Sequence, residues 1–248
     1  ERVGVAKSPN TIPYAFLEFC LREDLNETAQ RVMAVLNPIK LTITNYPEGQ
    51  SETMEVENNP LKPEEGTHTV TFSREVYVEA DDFLEVPVPK YKRLYPGGPE
   101  CRLKGAYLIQ CTGYNTDENG NITEVLATYD PESRGGDPAD GRKVKGATIH
   151  WVDAETAVDA EVRLYDNLFN AENPDTSSME ALVKDLNPNS LEVLTGCKVE
   201  ASLKDAKAPS AYQFMRMGYF TPDCKDSSPE HLVFNRSVSL KDSYKPSK

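Results

Sequence analysis

Residues 31–49, RVMAVLNPIKLTITNYPEG, set the fold class. From Ile39 onward the apolar side chains fall at every second position, with Ile39, Leu41 and Ile43 alternating with Lys40, Thr42 and Thr44. A strand with one face on a core and the other in water has that period, because successive side chains leave opposite faces of the pleat. Working outward, Met54 and Val56 repeat the pattern, then Val70 and Phe72, then Val76 and Val78. The stretch between the first two pairs, ENNPLKPEEGTH at 57–68, is acidic and proline-rich, which predicts a long surface loop. Short strands separated by turn signals predict a mainly β protein, a barrel or sandwich rather than βαβ units.

The same signals continue toward the C-terminus. Tyr107–Tyr114 and Ile122–Tyr129 flank NTDENGN, whose Asn119-Gly120 pair suits a tight hairpin turn. The loop DPESRGGDPADGRKVKG at 130–146 leads into the strand-like GATIHWV, with Ile149 and Trp151 on one face. Ser177 to Glu180 fits a capping box opening a short helix that Asn187-Pro188 ends. LEVLTGCKVE, AYQFMRMGYF and HLVFNRSVSL then return to strand patterns, followed by a polar tail. In the other direction, residues 12–25 read as a helix. Leu17, Cys20, Leu21 and Leu25 form its apolar stripe and Thr11 its N-cap.

Composition restricts function. The chain of 248 residues carries a formal net charge of -13, which opposes bulk attraction to DNA or to an anionic membrane. No apolar run is long enough to span a bilayer, and no signal-peptide pattern opens the chain. Five scattered cysteines without a C-x-x-C pair argue against a disulfide framework and for a reducing compartment, the cytosol. His68, His150 and His231 have no partner at metal-ligand spacing. The start at Glu1, with a helical segment close behind, reads as a piece of a longer protein.

Against the acidic background one stretch is basic. PKYKRLYPGGPECRLKG, residues 89–105, holds Lys90, Lys92, Arg93, Arg102 and Lys104 against Glu100 alone. Pro96-Gly97-Gly98-Pro99 reads as a reversal between two extended arms. Lys90 would then share a face with Lys92, and Arg102 with Lys104, while Leu103 points inward. Arg142, Lys143 and Lys145 form a second basic cluster. The chain contains no Gly-rich phosphate loop, nucleophile elbow or zinc-protease motif, and His150 reads as a structural residue of its strand. A local patch for an anionic ligand, nucleic acid foremost, is the functional expectation.

The motifs MAVLNPIKLTITNYPEG, NPLKPEEG, YKRLYPGGPECRLKGAYLI, DPADGRKVKGATIHWV, VRLYDNLF, YQFMRMGYF and FNRSVSLKD, in this order, closely resemble the C-terminal half of the bacterial-type glutaminyl-tRNA synthetase family. REDLN at 22–26 resembles the end of that family's helical subdomain. The resemblance implies two β-barrels. Residues 1–30 would end the helical subdomain, 31–88 with 175–248 would form a discontinuous proximal barrel, and 89–174 a distal one.

The two barrels would hold the anticodon loop of tRNA(Gln). Arg31 and Gln213 match positions that read the central uridine, Arg93 the one that reads the third base, a guanine, and Arg102 the one that reaches the first base. Lys92 would support Arg93. Lys90 and Lys104 stand where the family has glutamine and arginine, which implies phosphate contact, and Arg216 would lend a supporting contact. The family's full enzyme attaches glutamine to its tRNA with ATP. Its HIGH-like and KMSKS-like motifs are not in this chain, so glutamine, ATP and Mg2+ are expected only at a separate catalytic domain and no cofactor here. A cytoplasmic monomer that engages neither membrane nor DNA is implied. The competing families are the archaeal and eukaryotic glutamyl-tRNA synthetases and the ribosomal-type RNA-binding β-barrels.

Overall fold

The computed structural model describes residues 4–5, 7–8, 12–171 and 174–241. The protein is mainly β, with one nearly closed barrel, one half-barrel sheet and a short N-terminal helix. One seven-stranded sheet runs in the order Thr148–Ile149, Cys101–Leu103, Leu108–Thr116, Ile122–Tyr129, Pro38–Ile43, Glu75–Glu79, Val152–Asp153. The hairpin Ser51–Glu57 with Thr67–Ser73 buries Met54, Val56, Val70 and Phe72 in the same core. The other sheet runs Gln30–Val32, Tyr212–Phe214, Gly218–Pro222, Leu232–Ser239, Val158–Tyr165, Leu191–Val199, Ala34–Val35. In each sheet the two end strands are neighbours in sequence, separated by His150 and Trp151 in the first and by Met33 in the second.

The run RVMAVL explains how the units meet. Val32, Ala34 and Leu36 are buried in the core of the second sheet, whereas Met33 and Val35 belong to the core of the first. A pleated segment sends alternate side chains to opposite faces, so a segment apolar at consecutive positions is a shared wall. The wall's backbone donors that lie outside the ladders are taken up by buried carboxylates. Glu200 accepts from Met33 N at 2.9 Å, while Glu79 accepts from Leu36 N at 2.8 Å and Asn37 N at 3.0 Å. His150 is buried with Nε2 at 3.3 Å from Glu79 Oε1, a structural position.

The strands divide elsewhere than at 88/89 and 174/175. Pro38–Ile43 pairs in parallel with Ile122–Tyr129, which joins residues 38–88 to the unit that follows them. Val158–Tyr165 pairs with Leu191–Val199 and Leu232–Ser239, which assigns it to the C-terminal unit. The inserted unit therefore spans 38–153, and the discontinuous one comprises 30–35 with 158–239. The long loop at 130–146 is folded back onto the inserted unit. Arg142 holds it there through Glu100 at 2.7 Å, Asp130 at 2.6 Å and Asp140 at 2.9 Å. The true crossing is a tight turn in which Asp153 accepts from Thr156 N and Oγ1, and it carries no compositional mark.

The helix spans Tyr14–Thr28 and packs Leu25, with half-buried Leu21, against Ala29, Tyr219 and Val238. Leu17, expected in the same stripe, is 58% exposed because the sheet underlies only the last turns. Thr11, expected as the cap, lies outside the described residues. The second helix, Met179–Lys184, is capped by Ser178 rather than Ser177, its hydroxyl accepting from Ala181 N at 3.1 Å. Gly120 adopts φ 82° in the expected hairpin turn, closed by Gly120 N to Asp117 O at 3.1 Å.

One cluster in the inserted unit makes a pH prediction. Glu52 accepts from Tyr107 Oη at 2.8 Å, Tyr46 Oη at 3.0 Å and Arg134 Nε at 3.1 Å. Burial works to raise its pKa, but the hydrogen bonds from Tyr107, Arg134 and Tyr46 outweigh it and hold the carboxyl below its ordinary 4.5. A depressed folded-state pKa contributes stability that is complete above the unfolded value and lost as pH falls through the folded one. Glu52→Gln is therefore expected to flatten the acid side of a plot of urea midpoint against pH, below about 4.5. Parallel acid limbs in the two proteins would refute the assignment.

Candidate nucleic-acid interface

The basic stretch is not a pair of extended arms. Only Cys101–Leu103 is a strand, pairing with Thr148–Ile149 and Leu108–Thr116. Cys101 and Leu103 point inward and Arg102 outward, as alternation requires. The first arm turns instead: Tyr91 N donates to Val88 O at 3.0 Å around Pro89 and Lys90, and Lys90 takes φ 67°. Proline at the second turn position and a positive φ at the third are the requirements of a type II turn. Pro89 signals it, but a lysine at the left-handed position hides it. Lys90 and Lys92 thus extend from a coil, exposed, with no ion pair for either ammonium among the described residues.

The other six expected site residues fall into three groups. In the first, Arg93 and Arg216 converge on Asp82. Arg216 comes from the other unit, at φ 68° in the turn closed by Met217 N to Phe214 O at 2.9 Å. Its fork places Nη2 at 2.6 Å from Asp82 Oδ1 and Nη1 at 2.8 Å from Oδ2. The hydrogen bonds to Asp82 raise the Arg216 pKa against the opposing effect of burial. Arg93 Nη1 lies 3.1 Å from Asp82 Oδ1, with its side chain 40% exposed and the carboxylate fully buried. Beside them Tyr91 donates to Asp81 O at 3.1 Å, and burial pushes its phenol up to about 12.

In the second group, the register places Arg31 opposite Gln213 across a parallel pair. The two side chains do different things. Arg31 is 4% exposed and its guanidinium closes the end of the first helix, with Nη1 at 2.6 Å from Ala29 O and Nη2 at 2.5 Å from Asn26 O and 3.1 Å from Asn26 Oδ1. Burial lowers its pKa. Gln213 Nε2 donates to Tyr219 Oη at 2.9 Å, and Tyr219 Oη to Asn26 Oδ1 at 3.3 Å. Gln213, Tyr219 and Asn26 line a cavity of about 280 Å³ between helix and sheet, with Phe19 and Arg22 on the helix side. An aromatic face beside an amide that both donates and accepts suits a nucleobase edge.

In the third group, Arg102 and Lys104 line a cavity of about 330 Å³ in the inserted unit. Arg102 donates Nε to Gly136 O at 2.7 Å and Nη2 to Asp137 Oδ1 at 3.2 Å. Lys104 Nζ lies 3.7 Å from Glu57 Oε2. Asp137 and Glu57 are 87% and 57% exposed, so an RNA phosphate or base can replace either at low cost. Arg142 of the second basic cluster is fully engaged in its carboxylate cage, whereas Lys143 and Lys145 are exposed. Sequence reasoning missed Asp82, Asn26 and Tyr219. Nothing separates Asp82 from Asp81 in sequence, and only the fold shows that one of the pair is buried.

Two β units, with cationic groups on loops and edges and an aromatic-lined cavity, define an RNA-binding class of surface. The profile described as tRNA synthetases class I (E and Q), anti-codon binding domain, matches residues 29–130, and a second of the same description matches residues 148–223. The chain belongs to this family of class I anticodon-binding domains. It is 52% identical over 244 residues to the glutamine–tRNA ligase of Vibrio vulnificus, covering 98% of this chain and 43% of that protein. Similar matches are the ligases of Clostridium perfringens, 52% identical over 243 residues, and Bradyrhizobium diazoefficiens, 49% over 244, with the same coverage. The chain thus spans less than half the length of these relatives.

Proposed function

We propose that this chain is the anticodon-binding portion of a glutaminyl-tRNA synthetase and that its partner is tRNA(Gln). Similarity to glutamine–tRNA ligases over 98% of the chain is the observation that carries this reading. In this reading Arg93 forks onto the guanine at the third anticodon position, and Gln213 meets the second base in the cavity between helix and sheet. Arg31 supports Gln213 from beneath by fixing Asn26. Arg102, with Lys104, reaches the first base. Lys90 and Lys92 hold phosphates, and Arg216 acts through Asp82. Glutamine, ATP and Mg2+ belong to a catalytic domain elsewhere in the enzyme, and the complex acts as a monomer in the cytoplasm. No helix among the described residues is long and apolar enough to cross a membrane.

The geometry suits the chemistry asked of Arg93. Its Nη1 is held by the Asp82 carboxylate at 3.1 Å and the Asp81 carbonyl at 3.5 Å, while Nε and Nη2 have no protein partner among the described residues. Two adjacent donors match the O6 and N7 acceptors of guanine, worth about 1–3 kcal/mol of discrimination. Arg93→Ala is therefore expected to weaken binding to a glutamine anticodon stem-loop by that amount. Binding to the same loop with cytosine at the third position should change much less, as measured by fluorescence titration of the two RNAs. Equal losses would refute base reading by Arg93.

A further inference from the structure

Asp82 ends the turn Ala80–Asp82 that follows the strand Glu75–Glu79, and it touches both units. A carboxylate offers about four lone-pair directions. The Arg216 fork takes one on each oxygen, and Arg93 Nη1 lies 3.1 Å from Oδ1 as an ion pair while donating to Asp81 O at 3.5 Å. With one buried anion against two guanidiniums, the cluster keeps a net positive charge, located on the exposed member, Arg93. Arg216 neutralises Asp82 from the inside, so Arg93 is held by a single nitrogen and is not drawn fully onto the carboxylate. Leu94 N donates to Asp82 O at 2.9 Å, fixing the backbone next to Arg93 on the same residue.

We propose that Asp82 is a positioning residue for RNA recognition: it orients the Arg93 guanidinium so that its outer donors face a guanine edge, with Arg216 neutralising the charge that would otherwise capture it. This rests on the reading of Arg93 given above. It makes the discontinuous unit, through Arg216, a determinant of what the inserted unit reads. A residue that only supports the fold would, when changed, weaken binding to all RNAs together. Loss of orientation has a different signature. Arg93 keeps its attraction for RNA but no longer distinguishes the third base.

The test uses the full chain and two anticodon stem-loop RNAs that differ only in guanine or cytosine at the third position. Asp82→Asn is near-isosteric and should retain the native circular dichroism spectrum. It is expected to reduce the guanine-over-cytosine preference by about tenfold while leaving affinity for the cytosine RNA unchanged or raised. In an Arg93→Ala background it should cause no further loss of preference. Arg216→Lys keeps the charge but loses the fork and should reduce the preference partway. Should Asp82→Asn fail to fold, Arg216→Lys decides the matter. Full preference in the folded Asp82→Asn, or in Arg216→Lys when only that variant folds, overturns the positioning role. Full preference in Arg93→Ala overturns both this role and the reading beneath it, so the single variants separate the two failures.

Discussion

Trp151→Ala is expected to destabilise the chain by about 3–5 kcal/mol, the range for removing a large aromatic side chain from a packed core. Trp151 is fully buried at the point where the two end strands of the inserted unit meet. Its ring packs edge-on to Phe72 at 5.1 Å and 87°, so its loss opens a cavity beside Phe72 in the core of the inserted unit. Its Nε1 donates to Lys104 O at 2.9 Å, which ties the core to the end of the basic stretch. Trp151→Phe keeps most of the ring and loses the donor, so it should cost only about 1–3 kcal/mol. It should disturb Arg102 and Lys104 more than Arg93. Urea denaturation followed by circular dichroism measures both variants, since Trp151 is the only tryptophan available for fluorescence. A loss below about 1 kcal/mol for Trp151→Ala would show that the barrel does not close around this residue.

Arg31→Ala is the second large effect, and it separates two roles for one residue. The guanidinium satisfies carbonyls at Asn26 and Ala29 that the helix end leaves without partners. Removing it strands the buried Ala29 carbonyl and a part-buried one at Asn26, at about 1–3 kcal/mol, and should loosen the helix from Tyr219 and Val238. The cavity beside Gln213 loses one wall when that happens. Binding should therefore fall for every anticodon stem-loop, and amide exchange should rise at Leu25 and Ala29. A loss confined to RNAs with uridine at the middle position, with stability and exchange unchanged, would instead make Arg31 a direct reader.

How much of this was legible in the sequence depends on the range of each interaction. Local periodicity marked Pro38–Ile43, the hairpin around Asn119-Gly120 and the inward-pointing Leu103, because these follow from neighbouring residues. The run RVMAVL was legible as apolar but not as a wall, since its two faces meet cores made by segments far apart in the chain. Parallel pairing of Lys40 with Glu124 leaves no local mark, and so the boundaries were misplaced. Among the site residues, the cations of the basic stretch stood out by charge. Asp82, which pairs with Arg93 of that stretch and with the distant Arg216, did not, because burial is a property of the fold. The turn at Lys90 was hidden by a residue type that rarely adopts φ 67°.

Under the proposed function, this chain distinguishes a glutamine from a glutamate anticodon. The most direct test is a titration of the unmodified chain with two anticodon stem-loops carrying guanine or cytosine at the third position, at several salt concentrations. The guanine RNA is expected to bind about tenfold more tightly, with both affinities falling as salt rises because lysine–phosphate contacts release counterions. Equal affinity for the two RNAs at every salt concentration would contradict the account.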